Sequence, residues 1–244
     1  MKKLFISLII VTVLLAPIVL AQIMTIPVND KAEENARAPG LEKFVFIHYK
    51  KGYGKPPGTP GRGSPTECYK LLGVKWKAFP VNYVINPTNP QNLPVEFVTS
   101  AISISAETWD TATTSTELFG GYSVDDTASA GVQNYKNEIS WGNYPETGVI
   151  AATTVWYSPI GRKIVEFDIM FDTDWIWGDA TIDSTKMDLQ NIATHELGHG
   201  AGLGDVYDSA CSAVTMYGYS NYGETQKRTL EQPDITGIQT LYGI

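Results

Sequence analysis

The segment from Asp188 to Asp205, DLQNIATHELGHGAGLGD, carries two histidines four positions apart and an acidic residue directly after the first. Side chains four residues apart on a helix lie on one face, so His195 and His199 can bind the same metal ion. Glu196 can then contact a water molecule on that metal without being a ligand itself. This spacing predicts a metal-dependent hydrolytic centre.

The residues after His199 predict an abrupt end to this helix. Gly200, Gly202 and Gly204 fall within five positions, and each glycine inside a helix costs about 1 kcal/mol relative to alanine. The chain is therefore expected to turn and to bring Asp205 back toward the metal. Two histidines and one carboxylate, with a fourth position left for water, form the ligand set of a catalytic zinc ion.

Two other residues are alternatives for the third ligand position. Asp208 lies three residues beyond Asp205. His48 is the one remaining histidine, and it falls in a short predicted strand at Phe44–Tyr49. A lone histidine in such a strand is more often an ordinary surface or packing residue, so Asp205 is the predicted ligand.

Hydrophobic periodicity predicts the elements that must position these side chains. Asp188 suits the N-cap of the helix that carries the histidines, and Pro94 suits the start of an earlier helix that runs to Trp109. The predicted buried face of that earlier helix consists of Val98, Ala101, Ile102, Ala106 and Trp109. Strands are predicted at Val81–Ile85, Glu138–Trp141, Val149–Tyr157 and Lys163–Phe171. A strand, a long helix, several strands and two further helices describe an α/β (α+β) domain.

The segment His195–Asp205 resembles the long zinc signature of the metzincin peptidases, with Asp205 where most members have a third histidine. Val214–Tyr217 resembles the Met-turn of that group, which implies that Met216 lies beneath the metal and that Tyr217 has a structural role beside it. Asp234–Gly243 resembles the closing helix of the matrixins in particular.

The matrixin resemblance extends from Lys75 to Ile244 and implies both a fold and an activity. The fold would be a twisted, mostly parallel sheet with an antiparallel edge strand, an active-site helix and a C-terminal helix. The activity would be zinc-dependent hydrolysis of polypeptides, with one catalytic zinc ion and Glu196 as general base and then general acid. The strand Val149–Tyr157 would pair with the extended substrate.

The sequence does not exclude two other functions or a second metal ion. The chain could be a non-catalytic extracellular binding module that contains zinc, or a zinc hydrolase of non-peptide substrates. The resemblance also suggests calcium, which binds hard oxygen ligands. The acidic candidates for calcium are Asp168, Asp172, Asp174, Asp179 and Asp183. Their spacing matches no calcium loop, and a solvated acidic face is the alternative.

The N-terminus has the layout of a secretory signal, because two lysines precede an apolar run from Leu4 to Leu20. We expect a signal peptide at 1–21, a leader or propeptide-like segment with a Pro- and Gly-rich linker at 22–66, and a catalytic domain at 67–244. The protein would be secreted and monomeric, and would associate with a membrane only if the signal is not cleaved. Its net charge of −8 argues against a nucleic-acid partner.

Cys68 and Cys211 are the only cysteines in the chain. In an oxidising extracellular compartment two cysteines are expected to form a disulfide. The matrixin resemblance suggests an alternative, because a leader cysteine often occupies the open position of the zinc ion and keeps these enzymes latent. The residues around Cys68 lack the arginine and glycine neighbours of that motif, which favours the disulfide.

Overall fold

A seven-stranded mixed sheet organises the residues described by the computed structural model, which are 40–54, 67–113 and 117–243. The predicted signal peptide, the leader up to residue 39 and the linker from residue 55 to 66 lie outside these residues.

The strands of this sheet are β1 (Glu42–Lys50), β2 (Val81–Ile85), β3 (Phe119–Val124), β4 (Glu138–Gly142), β5 (Val149–Ser158), β6 (Lys163–Asp172) and β9 (Tyr219–Ser220). Their order across the sheet is β3-β2-β4-β6-β5-β1-β9. A separate short pair consists of β7 (Trp177–Gly178) and β8 (Met187–Asp188). The helices are α1 (Val95–Asp110), α2 (Leu189–Gly200) and α3 (Gln232–Tyr242). None of the helices in the described ranges is both long enough and apolar enough to cross a bilayer.

The sheet is mostly parallel, as expected. Strands β3, β2, β4 and β6 pair in parallel, and β5 runs antiparallel to β6. The four strands predicted in the catalytic region appear within one residue of their expected bounds. The sequence does not predict β3, because Gly120 and Gly121 are poor strand formers. It does not predict the two-residue strands either, because they are too short to show a periodicity.

The predicted face of α1 is buried against the rest of the domain at all five positions. Trp109 on this face donates its ring N–H to the carbonyl of Thr194 on α2, over 2.8 Å. Asp188 caps α2 as predicted, since its side chain accepts a hydrogen bond from the Asn191 amide. These contacts fix α2, and therefore its histidines, relative to α1 and the sheet.

Strand β1 differs most from the expectation, because it belongs to the predicted leader segment yet lies inside the sheet. It pairs antiparallel with β5, from Glu42 opposite Tyr157 to Tyr49 opposite Val149. Its last two residues pair in parallel with β9. The edge of β5, expected to be open to an extended substrate, is therefore occupied by a segment of the same chain.

The two cysteines are joined in the structure by a disulfide between Cys68 and Cys211, as the composition favoured. Neither cysteine retains a free thiol, so the alternative in which Cys68 binds the metal does not apply to this structure. The bond ties the start of the catalytic region to the loop that follows Asp205. A cut between residues 55 and 66 would therefore remove the covalent link between β1 and the rest of the domain. Cys68 would stay attached through the disulfide.

Candidate active site

The helix α2 and the turn after it bring three predicted ligands together. The helix ends at Gly200, and Gly202 has a φ of 103°, a left-handed conformation that favours glycine. The chain then returns so that Asp205 Oδ1 lies 3.2 Å from His195 Nε2 and 3.4 Å from His199 Nε2. All three side chains are buried. The predicted ligand set therefore converges on one point.

The hydrogen bonds of the two histidines leave the correct nitrogens for a metal. His195 Nδ1 lies 2.8 Å from the carbonyl of Thr215, and His199 Nδ1 lies 2.9 Å from the carbonyl of Leu203. A carbonyl only accepts, so each Nδ1 carries the proton and each Nε2 offers a lone pair.

Two polar atoms in this cluster test whether the site suits a zinc ion. Among the described residues, His195 Nε2 and Asp205 Oδ1 are buried without a hydrogen-bond partner, an arrangement that is costly unless a cation lies between them. Ligands bound at 2.0–2.1 Å in a tetrahedral zinc site are about 3.3 Å apart, close to the two separations from Asp205 Oδ1. The residues present therefore fit zinc.

Electrostatics in the cluster favour the ligand forms of His195 and Asp205. Burial and the nearby Lys227 lower the pKa of His195 to about 4, so its imidazole is neutral. Burial opposes ionisation of Asp205, but the charges and contacts of His199 and His195 hold its pKa below the usual range. Burial opposes protonation of His199, but the charges of Asp205 and Glu196 together with hydrogen bonding raise the pKa of His199 above its usual value.

Glu196, the predicted general base, is buried beside the three predicted ligands. Its Oε2 accepts a hydrogen bond of 2.6 Å from the Thr153 hydroxyl on β5. Its Oε1 lies 2.9 Å from Nδ1 of His48. Burial raises the pKa of Glu196 to about 7, which suits a group that must take up and release a proton near neutral pH.

The segment resembling a Met-turn lies directly under α2. A Cβ atom at Gly198 would come within 2.3 Å of the Met216 sulfur and 2.7 Å of the Trp109 ring, so only glycine fits between them. The backbone amides of Thr215 and Met216 donate to the carboxylate of Asp234 on α3. The C-terminal helix thus holds Met216 beneath the histidines.

The other residues singled out from the sequence lie outside the cluster of predicted zinc ligands. Asp208 is exposed and accepts a hydrogen bond from the Ala210 amide in a short helical turn, so it does not join the ligand cluster. Tyr217 follows Met216, and its carbonyl accepts from Lys227. The five aspartates named for calcium stay a prediction, and one of them, Asp179, pairs with Arg228 instead.

His48 and Lys227 are two of the site residues that sequence reasoning missed. The expectation that His48 is an ordinary surface or packing residue is wrong, because its buried ring contacts Glu196 and lies 4.0 Å from the His195 ring, centre to centre. Phe46 on the same strand stacks on His199 with ring centres 4.0 Å apart. The alternating sequence pattern of β1 predicts a strand but does not identify the strand it pairs with. No local sequence motif distinguishes Lys227 from the polar residues around it.

Comparison with known proteins places residues 75–243 within the sequence model of the matrixin family. Stromelysin-1 of Rattus norvegicus is 32% identical over 173 residues, which are 69% of this chain and 33% of that protein. Matrix metalloproteinase-25 of Mus musculus is 27% identical over 76% of this chain and 30% of its own length. Matrilysin of Homo sapiens is 43% identical over 31% of this chain and 27% of its own length. The chain thus spans about a third of these relatives, and β1 lies before the region that the family model matches.

Proposed function

Because the chain belongs to the matrixin family, we propose that it is an exported zinc endopeptidase whose cleft is closed by its own strand β1. The observation that carries the activity is the buried cluster of His195, His199 and Asp205 with two unsatisfied atoms, adjacent to Glu196. Export is supported by the signal-like N-terminus and by the disulfide.

His195, His199 and Asp205 would hold the zinc ion, which when bound acidifies a water molecule and polarises the scissile carbonyl. Glu196 removes the proton from the attacking water and then delivers it to the leaving amine. Thr153 anchors Oε2 of that carboxylate, so Oε1 is the oxygen that faces the reacting groups. β5 presents the backbone groups that align an extended peptide across the site.

Metal removal tests the activity. With β1 released, we expect the zinc-loaded protein to cleave a mixture of unstructured peptides, and a chelator to abolish cleavage until zinc is restored, because the ligands alone cannot activate water. Mass spectrometry of the peptides and metal analysis of the protein measure this. Cleavage that survives complete removal of metal would contradict the proposal. Zinc binding without peptide cleavage would favour the binding module, and hydrolysis of esters alone would favour the non-peptide hydrolase.

Closure of the cleft is supported by how β1 lies across the site. Its backbone pairs with β5 on one side and β9 on the other, which are the contacts an extended peptide substrate would need. His48 contacts the proposed general base, and Phe46 covers the ring of His199. A peptide cannot reach Glu196 while β1 remains in place.

Release of β1 is therefore expected to raise activity. We expect cleavage at a specific protease site inserted between Pro60 and Gly61, followed by removal of the β1 fragment, to increase peptide hydrolysis at least about tenfold, because a tethered strand has an effective concentration in the millimolar range. Initial rates on one peptide measure the change, and the uncut insertion protein is the control. A synthetic peptide of residues 41–52 should inhibit again. An unchanged rate after the fragment has left would exclude this role of β1.

A further inference from the structure

Lys227 is a fully buried lysine whose ammonium group contacts the strand that closes the cleft. Its Nζ lies 3.3 Å from Nε2 of His48. The same atom donates to the carbonyls of Tyr217 and Tyr219 and to the Ser220 hydroxyl. The ammonium group is thus held at the inner end of the space that the His48 side chain fills.

This ammonium group is surrounded by neutral acceptors. Within the described ranges, Lys227 forms no ion pair with a carboxylate, although several acidic residues act on it from farther away. Burial lowers the pKa of Lys227 to about 8. The Lys227 side chain is therefore protonated in most molecules at pH 7. A buried charge with no counter-ion is costly to the fold, and the proposed mechanism does not use it.

The backbone holds Lys227 in place independently of β1. The Lys227 amide donates to the side chain of Asn191 on α2 over 2.8 Å. The next residue, Arg228, pairs with Asp188, the N-cap of the same helix, and with Asp179. The cation is therefore positioned by the helix that carries the ligands and stays at the site when β1 leaves.

The His48 side chain marks a pocket next to the reacting groups. One ring nitrogen contacts Glu196, and the other contacts Ser220 and Lys227. If β1 lies as a substrate lies, which rests on the proposed function, a substrate residue takes the place of His48. That residue adjoins the scissile bond, because it contacts the general base.

We propose that this pocket selects an aspartate or glutamate side chain and that Lys227 is the residue that recognises it. A carboxylate reaching the inner end of the pocket would pair with Nζ and accept from the Ser220 hydroxyl, which supplies the missing counter-ion. An apolar side chain would leave the ammonium group buried and unpaired, and a lysine or arginine would be repelled. The enzyme would thus cleave next to acidic residues of polypeptides.

The first test compares peptides that differ only at the two positions flanking the scissile bond. With the full chain cut between residues 60 and 61 and loaded with zinc, we expect Asp or Glu at one of these positions to give a kcat/KM about tenfold above Asn or Gln, as for a buried charge pair. In Lys227→Met this ratio should fall to about 1 while neutral peptides are still cleaved. Lys227→Arg should keep the preference, and so should Lys136→Met, which removes an exposed lysine elsewhere.

A binding measurement separates this inference from the proposed activity. Synthetic peptides of residues 41–52 with His48→Glu or His48→Gln are titrated against the cut Glu196→Gln protein by fluorescence anisotropy. We expect the Glu peptide to bind about tenfold more tightly than the Gln peptide, and the difference to vanish in the additional Lys227→Met variant. Equal binding of the two peptides to protein that retains Lys227 would overturn the inference, even if the enzyme is active. Absence of hydrolysis on every peptide would overturn the proposed function but not this result.

Discussion

Glu196→Gln is expected to lower kcat for peptide hydrolysis by about three orders of magnitude, in the range that a positioned general acid–base contributes. The glutamine keeps the shape of the side chain and can still accept the Thr153 hydrogen bond at its carbonyl oxygen. It cannot take a proton from the attacking water. The protein with β1 released is assayed at saturating peptide, and kcat and KM are determined separately.

Measuring the zinc content of the variant distinguishes loss of the general base from disruption of the metal site. Glu196 is not one of the three converging ligands, so the variant should bind zinc as the unaltered protein does and unfold at a similar temperature. Thr153→Val serves as a matched control because it removes the hydroxyl that holds Oε2 but leaves the carboxylate, and it should reduce kcat much less. A fully active Glu196→Gln variant would remove Glu196 from the mechanism.

Asp205→Asn is expected to weaken zinc binding by at least about 100-fold, since even residues that only orient metal ligands cost 10- to 100-fold when altered. The substitution removes the negative charge that faces Nε2 of His195 and His199. A neutral amide oxygen is a poorer zinc ligand than a carboxylate, and burial of the amide nitrogen beside the two imidazoles adds a further cost. A competition titration with a chelator of known affinity measures the change.

Asp208→Asn is the control for this substitution, because Asp208 lies three residues away and is exposed. It makes the same change of charge and volume outside the ligand cluster, so zinc affinity should stay within about twofold of the unaltered protein. If Asp208→Asn weakened zinc binding while Asp205→Asn did not, the ligand assignment would have to move to Asp208.

Most of the predictions that agreed with the structure depended on short stretches of chain. The buried face of α1 and the cap at Asp188 follow from periodicity and from the chemistry of one residue. The disulfide of Cys68 with Cys211 could be expected because no other pairing within the chain exists. The position of β1 between β5 and β9 could not be predicted, because an alternating pattern indicates a strand but does not identify the neighbouring strands.

The predicted ligands converge because His195, His199 and Asp205 lie within one helix and the glycine turn that follows it, a spacing that the amino-acid sequence shows directly. Helical spacing and the conformational freedom of glycine act over a few residues, so they can be read directly. The surroundings of Glu196 and His48, in contrast, depend on how distant parts of the chain pack together. His48 lies 148 positions from Glu196 and 179 from Lys227. Such contacts arise from strand pairing and packing of the whole domain, which no local pattern encodes.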